Sequence, residues 1–242
     1  MRRLAAVGLG LALVAGCSGQ DRPAADPSPT SSTAPPSASP SASMSRAAAT
    51  ALLWRGVARD RPEVVRRAVE AGAELEARGR GGATPLVAAT KENRVEVARV
   101  LLEAGADPDA KDDLEDSAFL YAGAEGLEEI LALTIARGAD PRSLNRYGGT
   151  ALIPASEHAH VEAVRMLLET EVPVDHVNEL GWTALHEAVV LGNGDADHVR
   201  VVRMLIGAGA DHTIRGRDGR TPRQQAVALG FTDVVRAIDD SV

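Results

Sequence analysis

The sequence predicts an all-α solenoid of about six helix-turn-helix repeats with hairpin-like loops, following a disordered N-terminal tether. Three observations carry that expectation. A small residue recurs as Gly56, Ala89, Ala122, Ala155, Ala188 and Ala226, at intervals of 33, 33, 33, 33 and 38 residues. Self-similarity at a fixed period of this size marks a stacked-repeat architecture. Next, the 242 residues are 45% hydrophobic but contain only six aromatic rings: Trp54, Phe119, Tyr121, Tyr147, Trp182 and Phe231. A core must therefore be built from Ala, Val and Leu, in elements that approach closely. Finally, the composition changes abruptly near residue 45, from Pro- and Ser-rich to helically patterned.

Taken in chain order, the first element reads as an address. Arg2-Arg3 precedes an uncharged run over residues 4–16. That run is shorter than the ~20 residues a membrane span needs, and a basic segment before a short apolar one is the pattern of a secretory signal. The sequence Leu13-Val14-Ala15-Gly16-Cys17 resembles a bacterial lipobox, in which small residues precede a cysteine that receives lipid. Cys17, the one cysteine of the chain, is the expected lipidation site. Residues 1–16 are then a lipoprotein signal peptide, compatible with Sec or twin-arginine export. In a diderm cell, Ser18 after the cysteine resembles an outer-membrane destination.

The second element, residues 17–45, is the lipidated cysteine followed by a tether. Residues 18–45 hold six Pro, nine Ser and no aromatic residue, too little apolar surface to offset the entropy of ordering. As a coil such a stretch spans roughly 30 Å, and at ~3.1 Å per residue it reaches about 87 Å.

The third element, residues 46–242, is the array, with repeats near 46–78, 79–111, 112–144, 145–177, 178–215 and 216–242. Three residues before each small residue lies Leu53, Leu86, Phe119, Leu152 or Leu185, replaced in the last copy by Arg223. Eight residues after it come Val64, Val97, Ile130, Ala163 and Val234, with Val201 five residues late in the fifth copy. A Thr before the first helix is a good N-cap, and Pro after it fits the first helical position. Val95, Val97, Ala98, Leu101 and Leu102 make one apolar face of a second helix. Gly72, Gly105, Gly138 and Gly209 close the second helices in the left-handed conformation.

The stretches Thr84-Pro85-Leu86-Val87-Ala88-Ala89 and Thr183-Ala184-Leu185-His186-Glu187-Ala188 resemble the T-P-L-H-x-A core of the ankyrin repeat, as do the helix ends Leu101–Asp107 and Leu205–Asp211. The resemblance covers residues 46–242. It departs in places. Glu115 and Ser117 replace a turn glycine and a Thr in repeat 3. Glu171 replaces the closing glycine of repeat 4, where strain of about 1–2 kcal/mol in the left-handed region favours a shifted loop. Five extra residues fall within Leu191–His198 of repeat 5. Arg223 replaces a core Leu, as a polar terminal cap would.

A lone cysteine excludes a disulfide scaffold, and a net charge of −8 disfavours nucleic acid. No catalytic residues, cofactor or metal are expected. The loops at Asn193-Asp195-Asp197 and Asp107-Asp109 lack the glycine and terminal Glu of a calcium loop, and no H-E-x-x-H or Walker pattern occurs. The resemblance implies that His186 hydrogen-bonds at a repeat junction. It also implies protein binding through the hairpin tips and the concave helix face. The partner-binding candidates are Arg80, Asp113, Asp116, Arg146, Tyr147, Glu179, Trp182, Arg217 and Arg220; Tyr, Trp and Arg are types enriched in binding hot spots. The expectation is a monomeric protein-binding module, lipid-anchored and extracytoplasmic at the cell envelope. A second reading is a dedicated inhibitor or immunity protein for one toxin or enzyme. Further rivals are an enzyme using the 191–198 loop, or a structural spacer.

Overall fold

The computed structural model describes residues 44–240; Cys17, the expected signal peptide and nearly all of the expected tether lie outside the described residues. Among the described residues are one short 3-10 helix (Arg80–Gly82), no strand, and twelve α-helices. They run α1 (Arg46–Ala58), α2 (Pro62–Glu70), α3 (Pro85–Lys91), α4 (Val95–Glu103), α5 (Ala118–Ala124), α6 (Glu128–Ala136), α7 (Leu152–Glu157), α8 (Val161–Leu168), α9 (Ala184–Val190), α10 (Ala196–Gly207), α11 (Pro222–Leu229) and α12 (Thr232–Asp239). Odd-numbered helices stack on one another and even-numbered helices do likewise, while each odd helix packs on the even helix that follows it. Six helix pairs therefore form two layers around one continuous core, as the repeat period predicts.

The periodic residues line that core. Leu53, Leu86, Phe119, Leu152 and Leu185 are all fully buried. The small residues Ala89, Ala122, Ala155, Ala188 and Ala226 are buried too, and a Cβ on Gly56 would lie 2.8 Å from the Val65 side chain. Arg223 breaks the series at the open end. It is exposed and pairs with Asp239 through Nε at 2.5 Å and Nη2 at 2.7 Å, so the last repeat shows water a salt bridge where the others bury a leucine.

Helix starts follow the sequence with one exception. Thr84, Ser117, Thr183 and Thr221 each accept a hydrogen bond from the N–H three residues on. Thr150 is buried at the same place, yet its hydroxyl has no partner. The cause is Pro154. In the other repeats the N–H of that position donates to the capping residue's carbonyl, as Ala88 N–H does to Thr84 at 2.9 Å. Proline has no N–H. The Ile153 N–H donates to the Thr150 carbonyl instead, at 3.2 Å, and the first turn of α7 is rearranged.

Loop ends depend on backbone that favours glycine. Gly82, Gly148, Gly181 and Gly219 sit at one recurring turn position with positive φ, and Glu115 adopts the same conformation at φ 61°. Glu171 does not, and the loop after α8 closes through the Thr170 hydroxyl and the Leu167 carbonyl instead. The five extra residues of repeat 5 lengthen α10 by a turn at its start. Asp195 caps that turn, and the buried His198 bridges the Asp195 side chain at 2.9 Å and the Glu157 carbonyl at 3.0 Å.

Side-chain carboxylates link successive repeats. Glu76 accepts from the Asp107 N–H at 2.9 Å, Asp109 from the Asp140 N–H at 2.8 Å and Asp175 from the Asp211 N–H at 2.8 Å. Where the donor position is Pro173, the acceptor position is Arg142, which reaches Glu171 at 3.8 Å.

Candidate functional site: the hairpin tips and the concave groove

The loops between repeats turn sharply and place their tips in a row. Neighbouring tips are joined by backbone hydrogen bonds, Asp113 N–H to Gly81 at 3.0 Å and Glu179 N–H to Tyr147 at 3.0 Å. Asx turns made by Asp112, Asn145, Asn178 and Asp218 hold the tips in shape. At the apex of three consecutive tips stand Leu114, Tyr147 and Leu180, 55%, 51% and 46% exposed. They are spaced 33 residues apart, so the repeat itself aligns them into an apolar row.

The candidate residues divide into three groups. Arg80, Asp113, Arg146, Tyr147, Glu179, Arg217 and Arg220 are exposed at the tips. Asp116 is drawn inward. Lys91 Nζ lies 2.7 Å from Asp112 and 2.9 Å from Asp116 and rests 5.3 Å over the Tyr121 ring. Arg146 reaches Asp116 at 3.4 Å and stacks 4.8 Å over the Tyr147 ring. Of the four carboxylates at the tip of repeat 3, Asp112 and Asp116 are thus paired within the fold, while Asp113 and Glu115 stay exposed. Burial pushes Asp112 up, but hydrogen bonds from Lys91 and the backbone outweigh it and hold the carboxyl below its usual range. Trp182 forms the third group. It is half-buried over the next loop, where Gly216 leaves room for it: a Cβ there would lie 3.1 Å from the indole Nε1. Arg217 folds back on the Glu179 carbonyl.

Behind the tip row, the concave face holds a groove of ≈460 Å³. Tyr121, Ile153, Pro154 and Leu191 form its apolar floor and wall, with Tyr147 and Leu180 at its rim. Its acidic members include Glu125, Glu157 and Glu187. Glu187 is only 4% exposed and accepts a hydrogen bond from Asn178 at 2.7 Å. Burial, opposed by Asn178 and reinforced by Glu157, pushes its carboxyl up to about 7. Neither Asn178 nor Glu187 stands out in the sequence. The one available signal is that Glu187 occupies the place held by Ala88, Tyr121 and Pro154 in the preceding repeats.

Two buried histidines, His186 and His198, hold the fold together. His186 is fully buried; its Nδ1 accepts from the Thr183 N–H at 3.3 Å and its own N–H donates to the Thr183 hydroxyl at 3.4 Å, a reciprocal cap. Burial holds it below the usual range, with the Arg220 backbone of the next repeat acting in the opposite sense. His198 is engaged at both ring nitrogens. No group of three His, Cys, Asp or Glu among the described residues is placed to hold a metal ion. No helix among them is long and apolar enough to cross a membrane.

Known proteins share this arrangement. A model of three ankyrin repeats matches residues 119–216, and a model of the single ankyrin repeat matches residues 81–113. The crystal structure of an ankyrin repeat domain from Acinetobacter baumannii AYE is 44% identical, with a TM-score of 0.76 over 78% of this chain and 96% of that one. EF0377, an ankyrin repeat protein, is 34% identical with a TM-score of 0.76, over 78% of this chain and 97% of that one. The ankyrin repeat protein YahD of Escherichia coli strain K12 is 34% identical over 83 residues, which are 34% of this chain and 41% of YahD. The chain thus spans about two fifths of the length of that curated relative.

Proposed function

Because the chain belongs to the ankyrin-repeat family, we propose that it is a binding module for another protein, held at the cell envelope through a lipid on Cys17. The observation that carries the binding role is the row of Leu114, Tyr147 and Leu180. Single exposed apolar residues are ordinary on a protein surface, but three at the same position of successive tips, two of them on the rim of a groove, are the mark of an interface. The hydrogen-bonded turns beneath it add to that reading, since a preorganised surface loses little entropy on binding. Nothing among the described residues points to catalysis. The anchor rests on residues 2–17, where a basic and apolar segment ends in the lone cysteine.

Two experiments test the two halves. The full chain carrying Leu114→Ser, Tyr147→Ala and Leu180→Ser is compared with wild type in chemical crosslinking and capture from envelope extracts of the producing cell. The triple variant loses the captured partner while keeping its helical circular dichroism; if every captured protein stays bound, the tip assignment is wrong. For the anchor, Cys17→Ala is followed by cell fractionation and by incorporation of a palmitate analogue. The wild type sediments with membranes and takes up label, and the variant does neither. An unlabelled wild type in the soluble fraction would overturn the anchor.

A further inference from the structure

We propose that the groove centred on Glu187 receives one basic side chain, lysine or arginine, from an extended segment of the protein partner. The inference rests on the tip-and-groove binding role proposed above and specifies the chemistry of what enters the groove.

Three observations converge on a cation. The first is Glu187 itself. Its side chain lines the groove and is 4% exposed, and Asn178 satisfies one carboxylate oxygen while the other has no hydrogen-bond donor among the described residues. A largely buried carboxylate whose second oxygen opens on a groove is completed more strongly by a charged donor than by water alone. Burial and the neighbouring Glu157 already strain its ionisation.

The second is the balance of charge. Glu125 and Glu157 line the same groove without a salt bridge, whereas Arg146, its one arginine, is committed to Asp116 and to the Tyr147 ring. The other titratable groups facing the groove are Asp116, Tyr121, Tyr147 and His158. Of the helices packed on α9, α7 presents Glu157. His198 of α10 bonds to the Glu157 backbone, and Arg223 of α11 is paired with Asp239. None of them supplies Glu187 with a cation.

The third is the direction of the helices. The groove is lined by the C-terminal ends of α5 at Ala124 and Glu125, of α7 at Glu157 and His158, and of α9 at Leu191. Helix C-termini carry partial negative charge and favour cations. The apolar rim of Tyr147 and Leu180 suits the methylene stem of a long basic side chain, whose charged head would reach Glu187.

The test selects random 12-residue peptides displayed on phage against the full chain at pH 7.5. Binding of the recovered peptides is then measured on wild type, Glu187→Gln, Glu157→Gln and the tip triple variant. Gln at 187 keeps a carbonyl acceptor for Asn178, so the fold is retained, and circular dichroism checks it. The expected result is a shared Lys or Arg position, a loss of at least 10-fold with Glu187→Gln and a smaller loss with Glu157→Gln. Replacing the shared residue by acetyl-lysine or citrulline should reproduce the Glu187→Gln loss. Wild-type affinity should rise between pH 6 and pH 8, and that rise should vanish with Gln at 187. Peptides that require the tip row but share no basic position, or that bind the Gln variant equally, overturn this inference and leave the binding role standing. Peptides indifferent to the tip row, or none above background, overturn both.

Discussion

Two residues hold backbone conformations that their side chains disfavour, and both mark where the array was fitted around its loops. Glu115 takes φ 61° at a tip where four other repeats have glycine, and Ala159 takes φ 52° in the turn between α7 and α8. Glu115→Gly removes that strain from an exposed position, and urea denaturation should show a gain of about 0.5–1 kcal/mol. Ala159→Gly should gain less, because its methyl packs against the core. Glu187 governs a different variable. Its folded carboxyl titrates near 7 against an ordinary value of 4.5, so the folded chain binds the proton more tightly than the unfolded chain. Its contribution to stability is therefore fully present below pH 4.5 and is lost as pH rises through 7. His186, held low by burial, has the opposite slope as pH falls below its ordinary value of 6.5, so the wild-type curve alone mixes the two. The difference between Glu187→Gln and wild type isolates one of them. It should be near zero at pH 4.5 and grow to on the order of 2 kcal/mol in favour of Gln by pH 7.5, read from thermal unfolding. A maximum at low pH would show that Glu187 is ionised and satisfied in the fold.

At the scale of the element, the helix starts were legible because capping is a local bond between a hydroxyl and an N–H three residues away. Repeat 4 was not, because a residue four places downstream decides whether that N–H is free. Thr84→Val should cost about 1–2 kcal/mol, since it removes the bond to Val87 at 3.1 Å. Thr150→Val at the aligned position should be neutral or stabilising by about 1 kcal/mol, since it replaces a buried, unpartnered hydroxyl with a methyl. Equal losses at both sites, measured by chemical denaturation, would mean that Thr150 does cap α7. The site was legible in the same uneven way. Tyr147 is visible as one aromatic ring in a ring-poor chain, and the period places it at a tip. That Trp182 lies over Gly216, and that Asp116 turns in toward Lys91, depends on neighbours 33 or so residues away whose side-chain directions no single repeat encodes. Asn178 and Glu187 meet only because the loop and the helix after it fold back on each other.

The whole molecule was the most legible level, because a stacked array repeats one solution. Each pair of helices buries its faces only against its neighbours, so a 33-residue spacing of Leu, Ala and Val specifies layers and core together. What the period hides is the distinction between copies, which lies in the carboxylates that cross from one repeat to the next. Repeat 2 carries both halves of that link, the Asp107 N–H facing backward and the Asp109 carboxylate facing forward. Repeat 3 has the donor at Asp140 but Arg142 in the acceptor place, and repeat 4 has Pro173 and Asp175.

Those joints amount to a rule for splicing. A tandem duplicate of repeat 2 abuts its twin with donor meeting acceptor, so the chain can lengthen there by one unit and close the carboxylate link at the new seam, while the Lys91 pair with Asp112 and Asp116 forms only from the second copy. Twinned copies of repeat 4 would set Asp175 against Pro173, a carboxylate facing a nitrogen without hydrogen. The variant with residues 79–111 duplicated should unfold at or above the wild-type midpoint, and the one with residues 145–177 duplicated below it. The order of the repeats is therefore part of the protein's information, and growth by copying is open at some seams and closed at others.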